Sequence, residues 1–237
     1  MKIHNVIQGS DEWLSLRAGI VTASELDHLV SPTGKIRTGE TPHTYLCRKL
    51  AEKWVGGPLP AVGSWAMEQG QILEPEVLAI IELALDVGLE RVGFVTTDDG
   101  LFGASPDAMG FEIKSPQHVN HVKYLLAGVC PPEYWLQVQG CMYATGRDSW
   151  QFISYRRGMP MLNVKVERDP DLMNTIEDAL TKFQKSLDEG WKILVDCNGG
   201  ELPKQRKPRT VADEPPMIGL ETFDLTDSVA PNFRGEL

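Results

Sequence analysis

Residues 105–115 read Ser-Pro-Asp-Ala-Met-Gly-Phe-Glu-Ile-Lys-Ser, and this stretch is the most informative part of the chain. Its second half alternates charged and apolar residues, which is the period of a β-strand, and residues two apart in a strand share one face. Glu112 and Lys114 therefore project together, while Ile113 points towards the core. Asp107 precedes the strand across a short turn that contains Gly110, and a hairpin there would return Asp107 to the side of Glu112. We expect two carboxylates and one ammonium group to converge.

This set of groups suits metal-assisted hydrolysis of a phosphodiester. Magnesium ions bind to proteins through one or two carboxylates together with substrate phosphates. A lysine beside such an ion can orient or deprotonate the attacking water. The same three side chains could also be a solvated turn followed by an exposed ion pair, so the stretch alone leaves both interpretations open.

Composition limits the class of protein. The chain has 237 residues, 42% of them hydrophobic, which is enough for one large domain with a substantial core. The net charge of −10 argues against a protein that coats DNA nonspecifically, but it is compatible with an enzyme that holds DNA in a locally basic groove. The N-terminal residues do not resemble a signal peptide, and no apolar run is long enough to predict a membrane span. Four scattered cysteines predict neither a zinc site nor a disulfide framework and fit a reducing, cytoplasmic compartment.

The order of predicted elements is helices, several strands, a helix, two strands and a long helix. This order predicts an α/β (α+β) fold in which a central mixed β-sheet is flanked by helices. The last helix is expected to start at Asp169-Pro170 and to end at Gly190. Because the composition changes after Asn198, we predict a single domain over residues 1–197 and an extended or weakly ordered C-terminal tail over residues 198–237.

A second region near the N-terminus predicts an anion site. The sequence Thr22-Ala23-Ser24-Glu25 has the pattern of a capping box, which predicts a helix beginning at Thr22. Free backbone N–H groups and the helix dipole would favour a phosphate beside Ser24. Arg17, a few residues earlier, can add a bidentate contact to phosphate oxygens. Alternatively, Arg17 could form a salt bridge and Ser24 could be a simple capping residue.

Four segments taken together resemble the lambda exonuclease family, that is, the YqaJ-like viral recombinases and alkaline exonucleases of the PD-(D/E)xK nuclease superfamily. The segments occur in the order of that family: residues 16–24, 70–74, 105–116 and 137–139. The resemblance extends over most of the chain, and it implies a restriction-endonuclease-like core. The domain over residues 1–197 is then an exonuclease domain.

The resemblance implies a Mg²⁺-dependent, processive 5′→3′ exonuclease that acts on double-stranded DNA ends, with one or two ions and with Mn²⁺ as a substitute. Such an enzyme leaves 3′ single-strand overhangs for phage-type homologous recombination. Members of the family are ring-shaped homotrimers that work with a single-strand annealing protein. A phage or prophage origin and the cytoplasm of a bacterial host are expected. A ring with a basic lumen and an acidic exterior would reconcile the negative charge with a DNA substrate.

The resemblance also assigns roles to residues. Asp107, Glu112 and the Ile113 backbone carbonyl match metal ligands, Lys114 matches the lysine that activates the attacking water, and Glu74 and Gln137 match residues that assist the site. Arg17, Ser24 and Ser105 match the pocket for the 5′-phosphate, and Met67 matches an apolar wedge that separates the terminal base pairs. Without the resemblance, these residues have ordinary interpretations. Glu74 would be a surface charge and Gln137 an amide on a helix face. Ser105 would be a turn residue and Met67 a core residue.

Two other classes remain open from the sequence. One is a different nuclease on the same core, either an iron–sulfur enzyme, against which the scattered cysteines count, or a structure-specific endonuclease, which would cut circular DNA. The other is a non-catalytic protein that binds DNA ends, against which the presence of Asp107, Glu112 and Lys114 counts.

Overall fold

The computed structural model describes residues 1–59 and 77–203, and its strands form two hydrogen-bonded sheets. The first sheet contains β1 (Lys2–His4), β2 (Val21–Thr22), β3 (Phe94–Thr96) and β4 (Phe102–Ala104) in the order β1-β3-β4-β2. Strands β2 and β4 are parallel, whereas β3 is antiparallel to both β1 and β4. A turn at Asp98-Asp99-Gly100 joins β3 to β4, and Gly100 adopts the left-handed conformation with φ of 77°.

The second sheet carries the motif of residues 105–115. It contains β5 (Phe111–Lys114), β6 (Ser149–Ser154) and β7 (Leu162–Glu167) in that order. Strand β5 is parallel to β6, with Glu112 opposite Phe152 and Lys114 opposite Ser154, and β6 is antiparallel to β7. Because β5 pairs with β6 on one side, its other edge faces away from the ladder in the part of the chain that the structure describes.

Helices flank these sheets, and their bounds are as follows: α1 (Asp11–Arg17), a 3₁₀-helix (Ala23–His28), α2 (Glu40–Val55), α3 (described over 77–85), α4 (His118–Ala127), α5 (Pro132–Thr145) and α6 (Pro170–Cys197). Mixed sheets flanked by helices confirm the predicted fold class. Among the described helices, none is long and apolar enough to cross a membrane.

Helix α5 connects the two halves of the structure, because it packs on the 3₁₀-helix, on both sheets and on α6. Gly140 permits a close approach to the 3₁₀-helix: a Cβ atom at this position would lie 3.0 Å from the Cβ of Ala23. The fully buried side chains around the helix include Trp150, Phe102 and Phe152. Burial of such aromatic side chains is the dominant stabilising term in a core of this kind. The packing brings α5, which carries Gln137, against the segment that carries Ser24.

Two predictions of local structure were wrong, and one strand was missed. The segment after Thr22 is a six-residue 3₁₀-helix rather than an α-helix, and the Thr22 side chain makes no capping bond to the backbone. Helix α6 continues past Gly190 to Cys197, because this glycine packs against Leu50, where a Cβ atom would lie 2.6 Å from Leu50 Cδ1. The strand β1 was not predicted. The division of the chain after residue 197 stays a prediction.

Candidate active site

The turn between Asp107 and β5 has the predicted form. The N–H of Phe111 donates to the Ala108 carbonyl at 2.9 Å, and Gly110 adopts a φ of 89°, which only glycine tolerates easily. The tight return brings the Asp107 carboxylate to the strand, where its Oδ2 accepts a hydrogen bond from the Ile113 N–H at 2.7 Å. Asp107 is therefore held in place by the backbone of the strand that carries the other two groups.

The same hydrogen bond shows where the Ile113 carbonyl points. In a strand, the N–H and C=O of one residue project to the same side. The carbonyls of Gly110 and Lys114 face β6, since they accept from the N–H groups of Gln151 and Tyr155 at 2.8 and 2.9 Å. The Ile113 carbonyl therefore faces the opposite edge of β5, on the side occupied by Asp107, as its predicted role requires.

Glu112 lies at the centre of the cluster and is only 1% exposed. Its Oε1 accepts a hydrogen bond from the Gln137 amide at 2.7 Å and forms an ion pair with Lys114 Nζ at 2.5 Å. The Lys114 ammonium also lies 5.1 Å from the ring centroid of Tyr134, a favourable cation–π arrangement. The structure therefore brings together Asp107, Glu112, Lys114 and Gln137 from a turn, a strand and a helix.

The charge state of Lys114 follows from these neighbours. Burial lowers the pKa of Lys114, but the negative charges of Glu112 and Asp107 outweigh it, and the net pKa is raised above its ordinary value. Lys114 is therefore an ammonium group at neutral pH, with donors rather than a free electron pair. In this state it can hold an oxygen atom or neutralise negative charge.

The oxygen atoms of this cluster fit a divalent cation. Glu112 Oε2 is buried without a hydrogen-bond partner among the described residues, an arrangement that costs about 1–3 kcal/mol or more for a charged group. A cation would supply the missing partner. Two carboxylates and a backbone carbonyl are hard oxygen donors of the kind that Mg²⁺ and Mn²⁺ prefer. The cluster itself contains two acidic side chains. A group of three or more His, Cys, Asp or Glu side chains placed to bind a metal does not occur within residues 1–59 and 77–203.

A second cluster forms around Arg17 at the end of α1. Its Nη1 donates to Ser105 Oγ at 3.1 Å, and its Nη2 lies 3.4 Å from Ser24 Oγ and 3.5 Å from Thr22 Oγ1. The guanidinium stacks 4.3 Å from the ring centroid of Trp13, whose Nε1 also donates to Ser105 Oγ at 2.9 Å. Arg17 thus contacts both Ser24 and Ser105, the other two residues predicted to bind the 5′-phosphate.

This second cluster is chemically suited to an anion. Burial lowers the pKa of Arg17, although a guanidinium stays charged at neutral pH. Ser105 Oγ accepts from both Trp13 and Arg17, so its own proton is the group that it can donate to a ligand. The helix-dipole contribution that the sequence predicted is not available from a 3₁₀-helix of six residues. An anion here would instead rely on Arg17 and the hydroxyl groups.

Sequence reasoning missed two members of this cluster, Trp13 and Thr22. Trp13 was within reach of prediction, because residues four apart on a helix share one face and Trp13 and Arg17 are so spaced on α1. Thr22 was assigned to a helix cap, whereas its hydroxyl donates to the Glu25 carboxylate at 2.9 Å. Predicted residues Glu74 and Met67 lie outside the described residues, so their roles remain predictions.

His121, a polar helix residue of a kind that is usually exposed, lies instead in the core. It is fully buried on α4 and bridges to β6, with Nδ1 2.8 Å from Ser154 Oγ and Nε2 2.9 Å from the Pro160 carbonyl. Since a carbonyl only accepts, Nε2 carries the proton that it donates to Pro160. His118 is exposed.

The two glutamines of α5 have different surroundings. Gln137 donates to Glu112, whereas Gln139 is fully buried and joins α5 to the start of α6. Its Nε2 donates to the Glu167 carbonyl at 2.8 Å, and its Oε1 accepts from the Asp169 N–H at 3.1 Å. The first glutamine therefore belongs to the candidate site, and the second belongs to the core.

This contrast gives a matched pair of variants. We expect Gln137→Leu to lower nuclease activity about 10–100-fold, the effect of losing a group that orients a metal ligand, with little change in thermal stability. We expect Gln139→Leu to lower the free energy of unfolding by about 1–3 kcal/mol, because two backbone groups lose their partner, with activity retained well below the melting temperature. Thermal unfolding and DNA digestion measure both. Full activity in Gln137→Leu would contradict its assignment to the site.

The fold matches solved nucleases. The alkaline exonuclease LHK-Exo from Laribacter hongkongensis gives a TM-score of 0.72 at 27% identity, over 81% of this chain and 99% of that one. Its structure in complex with dAMP gives 0.71 at the same identity and coverage. A phage-related exonuclease from Haemophilus somnus gives 0.54 at 15% identity, over 74% of this chain and 96% of that one, a likeness of fold alone. The fold and the motif define a protein of the PD-(D/E)xK nuclease class.

Within that class the chain belongs to the YqaJ-like viral recombinase domain family, whose model matches residues 12–148. The predicted resemblance is thereby confirmed. The matched range contains both clusters described above. A search of curated proteins found no significant match.

Proposed function

We propose that the protein is a Mg²⁺-dependent 5′→3′ exonuclease that digests one strand from the end of a DNA duplex. The observation that carries this proposal is the connection between the two clusters. Ser105 lies in the cluster of Arg17, and Asp107 lies in the cluster of Glu112, with only Pro106 between them. A strand whose 5′-phosphate is held at Arg17 would therefore present a nearby phosphodiester to the carboxylates.

The residues of the second cluster support the proposed 5′→3′ direction. Arg17, Ser24 and Ser105 offer a guanidinium and two hydroxyl groups, which match the oxygens of a terminal phosphate. Hydrolysis that breaks the bond between phosphorus and the 3′ oxygen leaves a new 5′-phosphate on the shortened strand. The same pocket can bind this new end after each cleavage. Repeated digestion then proceeds in one direction and leaves a 3′ overhang.

In the first cluster, Asp107, Glu112 and the Ile113 carbonyl would hold the cation. When bound, a divalent cation supplies Lewis-acid stabilisation of phosphate charge and lowers the pKa of water. Gln137 keeps Glu112 Oε1 oriented, and Lys114 neutralises charge beside it. Because Lys114 is an ammonium, we propose that it orients the attacking water and stabilises the developing negative charge. Glu74 and Met67 keep their predicted roles within this proposal, as an aid to the metal site and as a base-pair wedge.

We extend the proposal to the assembly on the basis of family membership. A homotrimeric ring that encircles DNA would make digestion processive, and a single-strand annealing protein would receive the overhang. The four cysteines are all free, which supports action in the reducing cytoplasm of a bacterial cell that carries the phage or prophage. Sedimentation at micromolar concentration tests the trimer, and a monomer would remove the ring explanation for processivity.

The activity is tested with linear and closed circular duplex DNA of the same sequence. We expect digestion of the linear form in Mg²⁺, no digestion when the cation is chelated, and no cutting of the closed circle. Robust cutting of the circle would favour a structure-specific endonuclease. Binding to ends without any hydrolysis would favour a non-catalytic end-binding protein.

The phosphate pocket is tested by Arg17→Ala. We expect the preference for 5′-phosphorylated over 5′-hydroxyl ends to fall by about tenfold or more, since charge-assisted hydrogen bonds are worth about 1.5–3 kcal/mol each. Initial digestion rates on the two substrates give the ratio. Arg37→Ala is the control, because Arg37 is bound to the Asp27 carbonyl at 2.6 Å outside the pocket and any general effect on DNA binding changes both rates alike. An unchanged ratio in Arg17→Ala would refute the role of Arg17.

A further inference from the structure

We propose that Lys49, which lies outside the phosphate pocket, determines the preference for 5′-phosphorylated ends by holding Glu25 away from Arg17. This inference rests on the proposed function of the Arg17 cluster as a 5′-phosphate pocket. Lys49 is a positioning residue in this account, because it acts through Glu25 and Thr22 and does not touch the DNA.

Lys49 is an unusual lysine, since it is buried on α2 with only 2% of its surface exposed. Its Nζ lies 3.0 Å from Glu25 Oε2 and 3.0 Å from Glu52 Oε2. A buried ammonium requires such partners, because desolvation of an unpaired charge is costly. Lys49 therefore fixes two carboxylates, one beside the 3₁₀-helix and one on its own helix.

Glu25 is the carboxylate that can compete with DNA for Arg17. Glu25 Oε2 accepts from Thr22 Oγ1 at 2.9 Å, and Arg17 Nη2 lies 3.5 Å from the same hydroxyl oxygen. One hydroxyl group thus separates a carboxylate from a guanidinium. Nevertheless, within the described residues Arg17 forms no ion pair with a carboxylate, whereas Glu25 is paired with Lys49 and Arg48 and accepts from Tyr45 OH at 3.1 Å.

Glu52 connects the same lysine to the backbone that carries Arg17. Its Oε2, which contacts Lys49 Nζ, also accepts from the Gly19 N–H at 3.1 Å, two residues after Arg17. Gly19 has a φ of 79° and packs against α2, which fixes the path of the chain just after α1. Lys49 consequently supports the pocket in two ways: it retains Glu25, and it orders the acceptor that anchors the Arg17 segment.

Arg48 cannot replace Lys49 in this role. Its Nη2 lies 3.3 Å from Glu25 Oε1, but its side chain is 45% exposed, and solvent weakens ion pairs of exposed groups. The Lys49 side chain is 3% exposed, so its attraction for Glu25 is screened far less. In agreement with this, burial raises the pKa of Glu25, but the charge of Lys49 and its hydrogen bond outweigh burial, and the pKa is lowered overall.

Loss of the Lys49 charge should therefore release Glu25, and its carboxylate should then pair with Arg17 in place of the DNA phosphate. In Lys49→Met, we expect the ratio of digestion rates on 5′-phosphorylated and 5′-hydroxyl ends to fall about tenfold, equivalent to about 1.4 kcal/mol, with the rate on 5′-hydroxyl ends unchanged. Lys53→Met is the control on the same helix, because Lys53 lies over the Trp191 ring, away from the carboxylates.

Two double variants of equal charge separate this specificity role from a merely structural one. In Lys49→Met with Glu25→Gln, the competing carboxylate is gone, and we expect the preference for phosphorylated ends to return. In Lys49→Met with Glu52→Gln, Glu25 remains ionised, and the preference should stay lost. This pair tests the role of Lys49 even where the single variant does not fold, since each double variant removes one carboxylate charge together with the lysine charge.

An equal ratio in the two double variants, or a wild-type ratio in Lys49→Met, would overturn the inference. A wild-type protein that digests both kinds of end at the same rate would instead refute the phosphate pocket itself, so the two failures are distinguishable.

Discussion

Lys114→Ala is expected to lower the rate of duplex digestion by about 10²–10⁴-fold, the usual contribution of a positioned group that handles the proton or charge of the reacting water. The reason is its place in the cluster: Lys114 Nζ pairs with Glu112 Oε1, and the negative charge of Asp107 also acts on Lys114. The measurement is the initial rate of linear duplex digestion in saturating Mg²⁺.

The same variant should bind a divalent cation more tightly than the wild-type protein does. An ammonium that contacts Glu112 repels a cation that uses the same carboxylate, and its removal relieves that repulsion. Lys114→Ala without a cation should also melt at a lower temperature, because a buried carboxylate has lost its counter-charge. Cation binding followed by calorimetry and thermal unfolding with and without Mg²⁺ test both effects.

The control for Lys114→Ala is Lys165→Ala. Lys165 lies on β7, is 58% exposed and pairs with Glu167 outside the cluster, so its removal should change neither activity nor cation binding. Activity of Lys114→Ala within a few-fold of wild type would remove Lys114 from the account. Weaker cation binding in the variant would show that the lysine does not oppose the cation.

Glu112→Gln is expected to abolish the stabilisation that a divalent cation gives to the folded protein. It should also lower activity by at least about 10²-fold, because even the loss of a residue that hydrogen-bonds to a metal ligand lowers activity about 10–100-fold. A ligand that binds only the folded state at 100 times its dissociation constant adds about 2.7 kcal/mol to the free energy of unfolding. The wild-type protein should show this gain in Mg²⁺ or Mn²⁺. The variant should show no such gain, since the buried carboxylate whose Oε2 has no hydrogen-bond partner among the described residues has been replaced by a neutral amide.

Thermal unfolding as a function of cation concentration measures this effect without any DNA. Glu167→Gln is the matched control, because Glu167 is exposed on β7 and its side chain contacts only the solvent-facing Lys165 among the ion pairs described. A Glu112→Gln variant that is still stabilised by the cation to the wild-type extent would place the metal elsewhere.

The sequence was sufficient for the local geometry of residues 105–115, because that geometry depends on residues close together in the chain. Alternation along β5 places Glu112 and Lys114 on one face, and Gly110 allows the tight return that brings Asp107 to Ile113. These relations span only a few residues, and period and turn chemistry determine them.

Features that depend on distant packing were not predictable in the same way. Gly190 is a helix stop by its local preference, but contact with Leu50 of α2 keeps it inside α6. Strand β1 is three residues long, and its identity depends on pairing with β3, with Lys2 opposite Thr96. The sequence around His121 gives no sign of its burial, because its partners, Ser154 and Pro160, are far along the chain.

The cluster of Arg17 lies between these cases. Arg17 and Ser24 were predicted from a helix cap and from a family resemblance, and the structure brings them into contact through a different local geometry, a 3₁₀-helix. The network of Glu25, Lys49 and Glu52 behind them joins α2 to that helix. Charges separated by more than 20 residues give no sequence signal of their pairing, so only the folded structure could show it.

The most direct test of the account uses a linear duplex in which one end carries a 5′-phosphate, the other end is blocked, and each strand carries its own fluorescent label near the blocked end. After incubation in Mg²⁺, the account predicts that the strand with the 5′-phosphate is shortened from that end, while the opposite strand keeps its full length as a 3′ overhang. Shortening of the opposite strand from its 3′ end, or digestion that proceeds equally after the cation is chelated, would contradict it.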